Sequence, residues 1–262
     1  MLVFALSIVI GLFVGLLGAG GSILTTPLFV YVEGMEPVAA ISSSLLVVMA
    51  ASTFALVRHG IRGLIQWRTG FVFGLSGMLS AFVGGRIGAH LPGEALLFAF
   101  SVIMLFTGIA MIRRRKKPEV MRVGQIKMYR LILDGALVGF VTGIVGAGGG
   151  FMVVPALVLF GGLAIREAIA TSLLVVVMKS VGAFVGYALK FGGEASISLN
   201  EKISFDFRII MLSILGASIG SIIGSLFSAK IKPERLTVAF GWFVILIASL
   251  VFIENLIDVT LN

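Results

Sequence analysis

Apolar residues run along this chain in long blocks, and the blocks are cut by glycine-rich turns and small clusters of charge. Five blocks fall in the first half: Leu2–Leu17, Ser22–Val32, Val38–Val57, Thr69–His90 and Ala95–Ile112. Five fall in the second: Tyr129–Val145, Gly150–Phe160, Glu167–Leu189, Phe207–Ala229 and Leu236–Ile253. Apolar runs of this length read as helices, and about 20 such residues cross a bilayer core. The third to fifth blocks of each half are near that length. The first is slightly short, and the second is too short to cross alone. A short apolar block beside a glycine break, present in both halves, points to a binding site in a transporter. The first two blocks form either one broken helix or a hairpin that enters the membrane and returns.

The halves are copies of one another. With a shift of 128 residues, Gly11–Val57 falls on Gly139–Val185 without a gap, and 19 of those 47 positions are identical. Gly18-Ala19-Gly20-Gly21 falls on Gly146-Ala147-Gly148-Gly149, Pro27 on Pro155, Gly34 on Gly162 and Ser44 on Ser172. The later blocks are looser: Gly84–Pro92 and Gly220–Pro233 share small residues at four-residue spacing, with a gap of about five residues expected. The chain therefore divides into a first membrane repeat (1–112), a basic linker (113–128) and a second membrane repeat (129–262). The fold class is all-α, a polytopic bundle of two homologous repeats with helices broken after the glycine-rich motifs.

Composition agrees. The chain is 59% hydrophobic and only 12% charged, where a soluble domain carries about 25% charged residues. Too little polar surface exists to face water all round. Met1–Leu17 lacks a basic leader region and recurs in altered form at Leu131–Val145, so it reads as structure rather than as a signal peptide. The net charge of +8 does not mark a nucleic-acid binder, because the basic residues lie between apolar blocks and eight of twenty lie in Arg113–Arg130. Loops rich in Lys and Arg stay in the cytoplasm. Arg58, Arg62, Arg68 and the linker are therefore expected inside a cell inner membrane, and Glu33, Glu36 and Glu94 outside. In the second repeat, Lys230, Lys232, Arg235 and Arg166 oppose Lys190, Lys202 and Arg208, which are mixed with acids. That count favours an inverted second repeat and, with it, the hairpin.

Few residues are equipped for chemistry. The chain has no cysteine and two histidines, so thiolate chemistry and a multi-histidine metal site are excluded, and no cofactor is called for. No Ser-His-Asp set, HExxH or intramembrane carboxylate pair is present, so the chain reads as no enzyme. The breaks Gly18–Ser22 and Gly146–Gly150 each start a helix, whose free N–H groups and positive dipole end suit an anion. They also suit a simple packing kink. Lys179 lies about ten residues from either end of its block, too deep to reach water easily. An ionisable group there is a functional candidate, as an anion partner or a proton-coupling group. A pair with Asp134 is the structural alternative. Ser44, Thr171 and Ser172 supply hydroxyl donors that equally bond their own helix. Arg86 either lines a path or reaches the interface. Gly84, Gly88, Gly216, Gly220 and Gly224 read as helix-packing positions.

The paired Gly-Ala-Gly-Gly runs, Gly146–Pro155 and the following Ala170-Thr171-Ser172-Leu173 resemble the TauE/SafE sulfite exporter family over nearly the whole chain. The resemblance implies a transporter of small anions, often sulfur oxyanions or sulfonates such as sulfite, sulfoacetate or thiosulfate. The expected partners are that anion and membrane lipid, with the oligomeric state, a homo-oligomer included, left open. Joined to the residue reading, the expected binding set is Lys179, Gly20, Gly21, Ser22, Gly148, Gly149, Gly150, Ser44, Thr171 and Ser172, working by alternating access. A passive anion channel and a non-transporting membrane partner are the rivals.

Overall fold

The computed structural model of the chain describes residues 2–18, 23–113, 128–146, 150–159, 161–192, 207–228, 238, 241–242 and 244–254. They form α1 (Leu2–Leu17), α2 (Thr25–Pro27, continuing as a π-helical turn Leu28–Val32), α3 (Pro37–Ile61), α4 (Trp67–Gly88) and α5 (Gly93–Arg113). The second half gives α6 (Met128–Val145), α7 (Gly150–Leu159), α8 (Ile165–Gly192), α9 (Phe207–Phe227) and α10 (Val244–Glu254). No strand occurs among the described residues. Among the described residues six helices, α3 to α6, α8 and α9, are long and apolar enough to cross a membrane. The chain is a multi-pass membrane protein. Large apolar side chains such as Phe54, Leu79, Phe106, Leu137 and Leu215 stay exposed on its outer faces, as lipid requires.

Backbone geometry repeats with the sequence. Gly18 (φ 66°) and Gly146 (φ 64°) end α1 and α6 in the left-handed conformation that only glycine adopts cheaply. Gly34 (φ 65°) and Gly162 (φ 58°) do the same after α2 and α7. Both pairs are 128 positions apart. The fourth helices obey a different shift. Gly11 meets the backbone of Ala217, and Gly139 meets that of Gly77; Gly15 meets Ser221, and Gly143 meets Ala81. Positions 77 and 217 are thus equivalent, a shift of 140, so the gap is twelve residues rather than about five. Its origin is local: Arg62–Gln66 joins α3 to α4, while residues 193–206 separate α8 from α9, and α8 is the longer helix.

These pairings interlock the repeats. The first helix of each repeat packs along the fourth helix of the other, α1 on α9 and α6 on α4. Both pairs run parallel, and both close on glycines with no room for a Cβ. Small residues give membrane helices the close approach that packing needs where no hydrophobic effect drives them together. α3 joins α1 and α9, and α8 joins α4 and α6, so two three-helix bundles form, each drawn from both repeats.

The bundles meet where α3 crosses α8. Val38, Ile41 and Leu45, at the start of α3, share a cluster with Ala183 and Tyr187, near the end of α8. Gly146 rests on Ile41 and Gly18 on Ile169, the same contact made twice. α3 and α8 are therefore antiparallel. So are α5 and α10, with the Phe98 and Phe252 rings tilted against each other (centroids 5.5 Å apart) and Gly108 against Ile245. Equivalent helices that oppose one another are the mark of inverted repeats.

The chain direction follows. α1 ends beside the C-terminal end of α3, where the Gly15 carbonyl lies 3.5 Å from His59 Nε2. The α2 segment then returns along α3, with Thr26 bonded to Ser44. The first two blocks are a hairpin, not one broken helix. Arg58, Arg62, Arg68, Arg113, Arg130 and Arg166 lie at one end of the bundle, against Arg86 and Arg208 at the other. The bias of Lys and Arg toward cytoplasmic loops favours the arginine-rich end as the inner one. The residues Lys230, Lys232 and Arg235, and the linker beyond Arg113, lie outside the described residues.

Candidate functional site

Lys179 is only 1% exposed, and its ammonium makes no hydrogen bond among the described residues. It pairs with neither Asp134 nor any other described acid. Its depth follows from the helix pairings. Ile41 and Tyr187 lie at one level, joined through Gly146 and Ile144, the latter accepting the Tyr187 hydroxyl hydrogen bond. Gly18 and Gly15 place Ile169 and His59 at another. Antiparallel counting between these levels puts Lys179 opposite Met49 and Ala50, midway along both helices. The two-fold relating the repeats passes through this level. For a lysine without a described partner, the middle of the bundle is the costliest position at which to carry a charge.

A glycine makes room for its stem. The Lys179 stem lies against Gly77 of α4, where a Cβ would stand 3.2 Å from its Cγ and Cδ and from the Gly135 carbonyl of α6. At the equivalent place in the other bundle, Ala51 replaces Lys179, Ala217 replaces Gly77 and Ser7 replaces Gly135. One glycine, Gly77, stands where the lysine stem needs volume, and an alanine stands at the equivalent position where the lysine is absent.

Ser172 shares the face of Lys179, seven residues earlier on α8, and Gly18 is packed on it. Its hydroxyl donates to the Ile169 carbonyl at 2.8 Å. Ser44 donates to the Ile41 carbonyl at 2.7 Å and accepts from Thr26 at 3.0 Å. Ser44 lies opposite residue 184 of α8, twelve residues from Ser172, which is about 18 Å along the helix. These two serines occupy opposite halves of the membrane. Thr171 accepts the backbone N–H of Gln66 at 3.0 Å, while the Gln66 side chain donates to Glu167 at 3.2 Å. That hydroxyl caps the start of α4. Gly150 is the buried first residue of α7. Gly20, Gly21, Ser22, Gly148 and Gly149 lie outside the described residues. The flanks of the first break are placed: Gly18 against α8, Thr26 against α3.

Other sequence candidates fall away from this centre. Arg86 is exposed at the outer end of α4, its carbonyl 2.7 Å from His90 Nδ1. Asp134 is half-buried and sits one turn from Arg130 on α6. Gly84, Gly88, Gly216, Gly220 and Gly224 all press on backbone of the facing helix, as packing positions do. No cluster of potential metal ligands occurs among the described residues.

The profile of the sulfite exporter TauE/SafE family matches residues 3–251. The chain belongs to the TauE/SafE family. Among its relatives, a "Probable membrane transporter protein" of Xylella fastidiosa (strain 9a5c) is 34% identical over 91% of this chain and 89% of that protein. A second, from strain Temecula1, is also 34% identical, over 91% and 89%. A probable membrane transporter protein of Methanocaldococcus jannaschii is 24% identical over 91% of both chains. No solved structure matches the chain. Membership covers both repeats and all the elements described, so this TauE/SafE chain is a membrane protein of a transport family, placed in the cell membrane.

Sequence reasoning did not single out Gly77, Gly135, Ser52 or Ser180. The first two become visible only once α4 and α6 are known to flank α8. Ser52 and Ser180 carried a signal, being identical positions in the aligned repeat.

Proposed function

We propose that this TauE/SafE protein is a secondary transporter that moves small anions, sulfur oxyanions or organosulfonates, by alternating access. The observation that carries the reading is Lys179: a buried lysine without a partner among the described residues, at the level of the pseudo-two-fold, with Gly77 making room for its stem. An uncompensated charge in a membrane interior is strongly unfavourable, and an anion removes that cost. Substrate sites of inverted-repeat transporters lie at this depth. In the proposed site, backbone N–H groups of Gly20, Gly21, Ser22, Gly148, Gly149 and Gly150 supply further donors. Ser172 serves the cytoplasmic half of the path and Ser44 the outer half. Thr171 couples the path to the α3–α4 turn through Gln66.

The moving bodies are the two mixed bundles rather than the two repeats. α1–α9 and α4–α6 are locked backbone to backbone by glycines, whereas the seam between α3 and α8 includes an apolar side-chain cluster of Ile41, Leu45, Ala183 and Tyr187. Rocking across that seam exposes the centre to either face in turn. Purified protein in liposomes tests the reading: saturable sulfite flux with counterflow supports a carrier. Flux that rises linearly with concentration contradicts it, and points to a channel.

A further inference from the structure

Eight buried hydroxyls in this protein satisfy themselves on their own helix. Ser42, Ser44, Ser101, Thr107, Thr142, Ser172, Ser221 and Ser225 all donate to a carbonyl three or four residues back. Ser52 and Ser180 do not. Each is 0% exposed, and neither makes a hydrogen bond among the described residues. Buried polar groups without partners are uncommon, and each needs a reason.

Their placement supplies one. Ser180 is the 128-residue counterpart of Ser52. Among the other partnerless buried hydroxyls, Thr25 matches Val153 and Ser43 matches Thr171, while Ser213 matches Phe73 and Ser218 matches Met78. Only Thr171 of these is a hydroxyl, and it is engaged by Gln66. Ser52 and Ser180 are therefore the one free pair that the duplication keeps among the described residues. Ser52 lies seven residues after Leu45 and Ser180 seven before Tyr187, and Leu45 and Tyr187 share the cluster at the α3/α8 crossing. Seven residues are two helical turns, so both serines face the seam between the bundles. Counted from the level of Ile41 and Tyr187, they differ in height by four residues, about 6 Å. They straddle the pseudo-two-fold, and Lys179 is the residue before Ser180.

We infer that Ser52 and Ser180 are a pair of hydroxyl donors, one from each bundle, that hold the oxygens of the transported oxyanion beside Lys179. The inference rests on the transport reading and adds two residues to its site. A multi-oxygen anion suits the arrangement, because separate oxygens accept from donors on opposite sides of the axis while the ammonium balances the charge. Since the donors belong to different bundles, the anion bridges the two bodies that move.

The test exploits a signature that a structural serine does not have. Replacing a satisfied hydroxyl by alanine destabilises a protein, whereas replacing an unsatisfied one does not. Full-length wild type, Ser52→Ala, Ser180→Ala, the double variant and the control Ser101→Ala are purified. Their melting temperatures are measured with and without sulfite, sulfate or methanesulfonate. The expected result without anion is a melting temperature unchanged or raised in the Ser52 and Ser180 variants. With anion, the concentration needed for half-maximal stabilisation rises at least about tenfold per lost donor, and Ser101→Ala leaves it unchanged. Wild type stabilised by an anion, with the double variant stabilised at the same concentrations, overturns the pair and leaves the transport reading standing. So does a lower melting temperature of the Ser52 and Ser180 variants without anion. Wild type that responds to none of the three anions overturns the transport reading and the pair together.

Discussion

The bundle of α1, α3 and α9 and the bundle of α4, α6 and α8 are built alike, and they differ where it matters for an anion. Each is closed by glycines on the paired helices, and each has its first helix ended by a positive-φ glycine. Each also fixes that helix end with a ring: His59 approaches the Gly15 carbonyl in one, and Tyr187 donates to the Ile144 carbonyl in the other. His59 and Tyr187 are 128 positions apart. At the centre the likeness stops. One bundle has Ala51 and Ala217 at the places where the other holds Lys179 against Gly77. The symmetric parts make a frame that is the same from either side of the membrane, as alternating access requires. In the proposed transporter the single charge supplies the affinity for one anion, and a second lysine at position 51 would double the buried cost.

Four changes sharpen or break this comparison. The largest effect is expected from cross-linking, for which the cysteine-free chain needs no background substitutions. A disulfide across the seam, Leu45→Cys with Ala183→Cys, is expected to abolish flux in liposomes. One within a bundle, joining α1 to α9 at positions other than the packing glycines, retains most of it. Equal inhibition by both contradicts the mixed bundles as moving units. Next, Gly77→Ala pushes on the Lys179 stem and on the Gly135 carbonyl. Sulfite flux at low concentration should fall about tenfold, the scale of a 1.4 kcal/mol change. In a Lys179→Met background the same change should do nothing further, as a double-mutant cycle reads.

The glycine caps come third. Gly18→Ala places a Cβ against the Ile169 carbonyl and the Ser172 hydroxyl, while Gly146→Ala meets the Ile41 side chain. Both lose the left-handed conformation cheaply, at about 1–2 kcal/mol, but only Gly18 faces rigid backbone. Thermal unfolding should show Gly18→Ala as the more destabilised; the reverse order speaks against the equivalence of the breaks. The smallest effect is that of Tyr187→Phe, which removes one hydrogen bond and should cost about 1 kcal/mol of stability. Sulfite affinity should not change, because Tyr187 lies at the outer end of the seam. A loss of affinity places the site elsewhere.

Much of the frame was legible in the sequence because apolar run length and glycine breaks act locally. The boundaries of α1 were read residue for residue, and the duplication followed from Gly11–Val57 alone. The choice between a broken helix and a hairpin was not local. Gly18 and Gly34 permit either path, and the chain turns back because Gly18 docks on α8 and Thr26 on α3, long-range contacts that no block records. The exchange of helices between repeats was hidden for the same reason. At the site, Lys179 stood out because a charge inside an apolar run is conspicuous. Gly77 and Gly135 did not, since small residues in membrane helices read first as packing. Ser44 and Ser172 looked like partners because the repeat keeps both, but antiparallel helices carry repeat-related residues apart unless they lie near the axis. Ser52 and Ser180 lie near it.

The most direct test of the central claim compares sulfite transport and thermal stability of wild type and Lys179→Met in parallel. Removing an unpaired buried charge should raise the melting temperature of the anion-free protein while lowering flux at least about 100-fold, more than 2.7 kcal/mol in transport efficiency. A variant that is more stable and inactive places Lys179 at the anion. A variant that carries sulfite as wild type does, or that loses stability, contradicts the account and returns the lysine to the scaffold.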